Sequence, residues 1–176
     1  MSRAIAIAQW LYPTPDGLYC AAGDFHIDPQ RPVARAVITH GHSDHARSGH
    51  GAVLATAETI AIMQQRYGAG CAGSFQALAL GEPLSLGGVD VRLVPAGHIL
   101  GSAQVVMEWQ GGRAVVSGDY KRSPDPTCLP FELVPCDVFV TEATFALPVF
   151  RHEAPEAEVG KLIASLARQP DRRLQA

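Results

Sequence analysis

Four side chains able to bind a metal fall within six consecutive positions, His40-Gly41-His42-Ser43-Asp44-His45, directly after the apolar run 34–39. In an extended strand end, residues two apart point to the same side, so His40 and His42 can present two imidazoles to one cation. Asp44 and His45 follow one turn later and can address a second cation beside the first. The small residues Gly41 and Ser43 let the chain curl tightly between them. Imidazoles this close repel one another when protonated unless a cation neutralises the site, so the spacing reads as a metal-binding loop.

Two more ligand types stand where strands end. His98 sits in the glycine-bracketed turn Gly97-His98-Ile99-Leu100-Gly101, and Asp119 follows Val115-Val116-Ser117-Gly118. Added to the cluster, they complete a pattern in which His40, His42 and His98 hold one metal. Asp44, His45 and a bridging Asp119 hold the other. Two divalent ions about 4 Å apart with a hydroxide between them suit attack on a phosphate or carbonyl group at neutral pH.

The elements that must carry these residues are strands and short helices, β-rich first. Strands are expected at 17–20, 25–28, 34–39 and 51–56, followed by a helix at 57–67 closed by Gly68-Ala69-Gly70. A run of antiparallel strands with glycine turns is expected at 75–80, 83–86 and 89–95. A hairpin at 103–109 and 113–117 turns at Gln110-Gly111-Gly112, and another buried strand lies at 136–142. The clearest helix is 155–168: Pro155 suits its first position, Glu156 and Glu158 suit its dipole, and Val159, Leu162, Ile163 and Leu166 share one face. The fold class is therefore α/β in layers.

With 176 residues, 47% hydrophobic and 18% charged, the chain can bury a sizeable core, which excludes disorder for its bulk. No apolar stretch has the roughly 18 residues a membrane helix needs. A net charge of −3 argues against a protein that coats nucleic acid with basic residues, but not against a nuclease whose positive charge is bound metal. The short apolar stretch 4–12 runs into the turn at Pro13-Thr14-Pro15-Asp16-Gly17 and is not read as an export signal. Cys20, Cys71, Cys128 and Cys136 form no Cys-x-x-Cys pair and are expected as buried or half-buried free thiols, which places the protein in the cytoplasm.

The order His-x-His-x-Asp-His, then His, then Asp, each at a strand end, resembles the metallo-β-lactamase fold, which implies an αββα sandwich. Gly97-His98-Ile99-Leu100-Gly101-Ser102-Ala103, Ser117-Gly118-Asp119-Tyr120 and Thr141-Glu142-Ala143-Thr144-Phe145 resemble the β-CASP nucleases within it. Gly23-Asp24-Phe25-His26-Ile27-Asp28-Pro29 and Asp125-Pro126-Thr127-Cys128 are similar to the bacterial ligase-associated DNA exonucleases, often labelled mRNA 3′-end processing factors. The resemblance implies two divalent ions, zinc ahead of manganese, and a nucleic-acid substrate, DNA ahead of RNA. It also implies association with a DNA ligase or helicase. Catalytic roles fall to Asp44, His45 and Asp119, and Glu142 would orient a general-acid histidine. In such nucleases a β-CASP domain follows the region seen here, and later histidines supply the acid and another ligand. Residues 1–152 are thus expected to be the N-terminal portion of a metallo-β-lactamase domain, with 153–176 a helix and tail leading toward a β-CASP domain. After His98 the chain has only His152.

Two rival readings differ in class: a single-domain thioester or lactone hydrolase using the same metals, and a metal-binding fragment without turnover. Among the remaining residues, Asp24 and Asp28 stand open between fixing a ligating imidazole and shaping a turn. His26 and His50 are read as non-ligands, Lys121 and Arg122 as a solvated pair, and Trp10, Trp109 and Tyr120 as packing residues.

Overall fold

A computed structural model describes residues 6–144 and 155–168. The backbone divides into two compact units, Met1–Glu142 and Ala143–Ala176. The first holds two mixed sheets. One runs in the order β1 (Leu11–Thr14), β2 (Gly17–Cys20), β3 (Phe25–Ile27), β4 (Arg35–Val37), β5 (His50–Ala55), β6 (Ala72–Ala77). The other runs β11 (Val138–Val140), β10 (Gly112–Val116), β9 (Ala103–Trp109), β8 (Val89–Pro95), β7 (Pro83–Leu86). Helix α1 (Ala57–Tyr67) lies between β5 and β6 in the chain. In the second unit, α2 (Pro155–Arg168) spans the expected residues, with Glu156 and Glu158 in its first turn.

Period-2 burial assigns the faces. Val37 and Leu54 point inward to a core shared with Phe25, Val91, Leu93, Val105 and Met107 of both sheets. Their neighbours Ala36, Ile38, Val53 and Ala55 point outward and pack with Ile60 and Met63 of α1. The opposite face of the second sheet seats Val94, Val106 and Val115 against Val134. Trp10 is buried, edge-on to Trp109 with ring centroids 6.0 Å apart.

Most expected elements form at or near their expected limits; four differ, among them the strand expected buried at 136–142, which spans only Val138–Val140 and is half-buried to exposed at its sheet edge. Residues 75–80 do not open an antiparallel run. The strand there is β6, shifted to Ala72–Ala77, and it pairs parallel to β5 because α1 carries the chain back before it pairs. The stretch ending at Thr14 is a strand, β1, pairing antiparallel with β2; Pro13 is tolerated because β1 is a sheet edge. The expected strand at 34–39 keeps ladder pairing only over Arg35–Val37, and Ile38 and Thr39 continue in extended form toward His40. Cys20 and Cys71 are buried and Cys128 half-buried, whereas Cys136 is exposed, since it precedes β11 rather than lying within it.

β8, β10 and β11 run in the same direction, each pair being related through an antiparallel β9 or a parallel ladder. Their C-terminal ends therefore share one edge, which is where His98, Asp119 and Glu142 emerge. The amide of Ala103 donates to Thr39 O at 2.8 Å and joins that edge to the end of the strand bearing His40.

Candidate metal centre

After β4 the chain reaches His40, whose ring is fully buried, and then turns: Ala46 N–H donates to His42 O at 2.7 Å, swinging Asp44 and His45 back beside the first two imidazoles. On the other sheet, Ser102 Oγ accepts the amides of His98 and Ile99, both at 3.1 Å, which fixes the turn that aims His98. Gly118 has φ +55, and a Cβ there would lie 2.5 Å from Thr39 Oγ1, so only glycine lets the Asp119 loop approach so closely.

These loops converge. His40 Nε2 lies 3.0 Å from His42 Nδ1, and His98 Nε2 lies 3.2 Å from that same nitrogen. Asp119 Oδ2 is 3.8 Å from His40 Nε2 and 3.5 Å from His98 Nε2. One ligand atom from each of the four residues falls within 4.8 Å of all the others. A four-coordinate zinc with ligands near 2.0–2.1 Å would hold neighbouring donors about 3.3 Å apart, so this set fits a divalent cation. The other oxygen, Asp119 Oδ1, faces His45 Nε2 at 3.4 Å, and Asp44 Oδ2 lies 3.7 Å from that nitrogen. One carboxylate thus turns an oxygen toward each wing of the site.

The hydrogen-bond network assigns the tautomers. Asp28, with φ +44, accepts Thr39 N–H at 2.8 Å on Oδ1 and the Thr39 hydroxyl at 2.6 Å on Oδ2. Its Oδ2 also accepts His45 Nδ1–H at 2.8 Å, which in the neutral ring leaves His45 Nε2 bare toward Asp119. Having donated its proton to Asp28, Thr39 Oγ1 can only accept from His40 Nδ1, 3.0 Å away, so His40 Nε2 is bare as well. Asp28 is therefore both the turn residue and the imidazole-fixing residue, two roles that its sequence position left open. Thr39, flanking the cluster, is the residue sequence reasoning passed over.

Electrostatics follow from this packing. Burial pushes His40 down to about 3, with the charge of His45 adding to it and that of Asp28 opposing. Burial also lowers His98, against the pull of Asp119. For His45 burial again opposes the charge, but the hydrogen bond and charge of Asp28 prevail and raise it. Asp44 is lowered: slight burial works against this, and a backbone hydrogen bond and the neighbouring histidines outweigh it. The stability of the metal-free chain follows. His40 and His98 bind protons more readily unfolded than folded, so their contribution is present above about pH 6.5 and drains away as pH falls below it. His45 has the opposite sign: its contribution is present below its unfolded value and is lost as pH rises through the raised folded one. His50, lowered by burial, has the same sign as His40 and His98, and the large shift of His40 sets the net direction. Urea unfolding of the chelator-treated chain should show stability dropping by about 2 kcal/mol from pH 7.5 to pH 5; a flat profile would contradict the burial argument.

Other expected residues lie apart. Asp24 accepts from Tyr19 and Arg35 at the surface, away from the cluster. His26 rests on the Tyr19 ring, and His50 is buried at the start of β5, accepting Val33 N–H through Nδ1. Lys121 is paired with Asp125 at 2.9 Å. Glu142 lines a cleft with Asp28, His45 and Gly118, and its charge reaches His98. Phe145 and His152 lie outside the described residues.

The model of the metallo-beta-lactamase superfamily matches residues 25–168. The chain belongs to the metallo-β-lactamase superfamily. The α/β fold expected from the sequence is the fold of this metallo-β-lactamase domain. Among its relatives, a probable DNA ligase of Opitutus terrae is 31% identical over 165 residues, which are 91% of this chain and 16% of the relative. A ribonuclease of Thermus thermophilus is 30% identical over 150 residues, 69% of this chain and 34% of the relative. The chain thus spans about a third of the length of one and about a sixth of the other. A crystal structure of a protein of unknown function from Enterococcus faecalis superposes over 80% of this metallo-β-lactamase chain and 40% of its own, with TM-score 0.53 and 14% identity, a likeness of fold. No helix among the described residues is long and apolar enough to cross a membrane.

Proposed function

We propose that this chain carries the dinuclear metal centre of a nuclease of the β-CASP type, hydrolysing phosphodiesters in DNA. The observation that carries the reading is Asp119, whose two oxygens face two separate groups of histidine nitrogens. His40, His42 and His98 would hold one divalent cation; Asp44 and His45 would hold the other, with Asp119 spanning both. Zinc is the first choice, because imidazole nitrogens and carboxylates at these spacings suit it, with manganese second. Two such cations supply Lewis acidity toward a phosphate and a nucleophile available at neutral pH.

The protein's own part is to orient and to take up protons. The bare Nε2 atoms of His40 and His45 are held toward the centre by Thr39 and Asp28. Asp44, with its side chain 74% exposed and held deprotonated, stands on the solvent side as the acceptor for the proton of an attacking water. Glu142, at the edge of the cleft, would orient a general-acid histidine of the kind that the later portion of such nucleases supplies. The ligase-named relative and the sequence resemblance favour DNA and a ligase or helicase partner; the ribonuclease relative makes RNA the second substrate. All four cysteines are free, which suits the reducing cytoplasm.

The test is metal analysis joined to cleavage. The zinc-loaded chain should carry about two equivalents and degrade single-stranded DNA faster than RNA of the same sequence. Chelator treatment and His42→Ala should each abolish cleavage. Faster RNA cleavage would reverse the substrate order, and cleavage indifferent to both treatments would sink the assignment.

A further inference from the structure

The two loops that bring His40 and His42 together with His98 come from different sheets, and both are tied to one helix. At the first turn of α1, Thr56 Oγ1 donates to Gly101 O at 2.7 Å, and Thr59 Oγ1 reaches the same carbonyl at 3.2 Å. At the last turn, Arg66 Nη1 donates to Gly41 O at 2.6 Å. Gly101 closes the turn that holds His98, and Gly41 lies between His40 and His42.

Both contacts are steric as well as polar. A Cβ on Gly41 would lie 2.8 Å from Ile62 Cγ2, and one on Gly101 would lie 2.6 Å from Glu58 Cβ, so each loop rests directly on the helix surface. The helix is fixed in its turn. Thr56 caps its N-terminus by accepting Thr59 N–H, Gly68 ends it with φ +89, and Ile60 and Met63 anchor its buried face on β4 and β5. About ten residues of helix separate the two contacts, and an α-helix is stiff over that length.

We propose that α1 is a splint for the metal centre, with Thr56, Thr59 and Arg66 as positioning residues that set the spacing between His98 and the His40–His42 pair. Arg66 is not a ligand: it acts on Gly41 O through one Nη1–H bond, and its rigid, planar guanidinium limits how far that loop can shift. The same residues explain why the two loops carry glycine where they meet the helix. Any side chain at 41 or 101 would lift the loop off the splint and move a histidine with it.

The inference rests on the metal-centre reading, and the experiment separates the two. Arg66→Met, Thr59→Val and Arg66→Lys are compared with wild type and with Gln65→Ala, a substitution on the exposed side of α1. Amide hydrogen exchange is measured on the metal-free full chain, and zinc affinity by chelator competition. Arg66→Met should speed exchange at residues 40–46, and Thr59→Val at 98–103. Each should weaken zinc binding about tenfold or more, the scale expected when support for a ligand is lost. Arg66→Lys should recover part of both effects, and Gln65→Ala should show neither. Exchange that rises while zinc affinity stays within twofold of wild type would overturn the splint, as would affinity lost equally in Gln65→Ala. If Arg66→Met fails to fold, the Arg66→Lys and Thr59→Val pair decides on the same readouts. A wild-type chain that takes up no zinc would overturn the metal-centre reading and the splint's purpose together, whereas altered exchange confined to the tethered loops in that chain would still show the tether.

Discussion

Asp119→Ala should lower the metal content from about two equivalents to at most one and cut phosphodiester hydrolysis by roughly three orders of magnitude or more, a loss of about 4 kcal/mol in transition-state stabilisation. No other side chain in the cluster turns one atom toward His40 and His98 and another toward His45. Removing the carboxylate takes a donor from both wings at once and leaves the imidazoles to hold any cation with less neutralising charge. Asp119→Asn separates charge from geometry. It keeps one acceptor oxygen but turns an amide N–H toward the other wing, so it should retain one equivalent while losing nearly as much activity. The fold should survive either change, because Asp119 lies in a loop after β10 and outside the shared core. Inductively coupled plasma emission on the dialysed protein, beside a cleavage assay, checks both. Two equivalents retained in Asp119→Ala would refute the bridging role.

The second large effect is expected at a residue that touches no cation. Asp28→Asn should lower unfolding stability by about 2–4 kcal/mol and weaken metal binding by 10–100-fold. The Asp28 carboxylate accepts three hydrogen bonds, and two of the donors set which nitrogens of His40 and His45 stay bare. An asparagine at this position must place an N–H against Thr39 or against His45 Nδ1–H. Either the buried donors lose a partner or the imidazole adopts the other tautomer and turns a proton toward the centre. Asparagine accepts a positive φ about as readily as aspartate, so backbone strain does not confuse the comparison as it would for alanine. Denaturant unfolding of the metal-free chain and metal titration measure the two parts separately. A stability loss with unchanged metal affinity would show that Asp28 serves the fold alone.

Much of the fold was legible because its local signals agree. Helix α1 begins at a threonine cap and ends at Gly68 as its residues demand, and the hairpin of β9 and β10 turns where Gln110-Gly111-Gly112 allows positive φ. Strand pairing was less legible. Residues near Phe75 carry the same alternation whether they pair parallel with β5 or antiparallel with β7, and only the path through α1 decides it. β1 was hidden by its proline, which a sheet edge tolerates and a central strand does not.

At the candidate site, residue type and spacing alone picked out side chains that the structure brings together. Imidazoles and carboxylates packed after strand ends have few other uses, and strand geometry puts alternate residues on one side. The tertiary structure decided what holds them. Asp28 stands 11 residues before Thr39, and Arg66 stands 25 residues after Gly41, yet each hydrogen-bonds its partner within 3 Å. Contacts between residues so far apart along the chain depend on how sheets and helix pack, and no local pattern encodes them. The sequence specified the donors; packing specified their tautomers, their spacing and their charge.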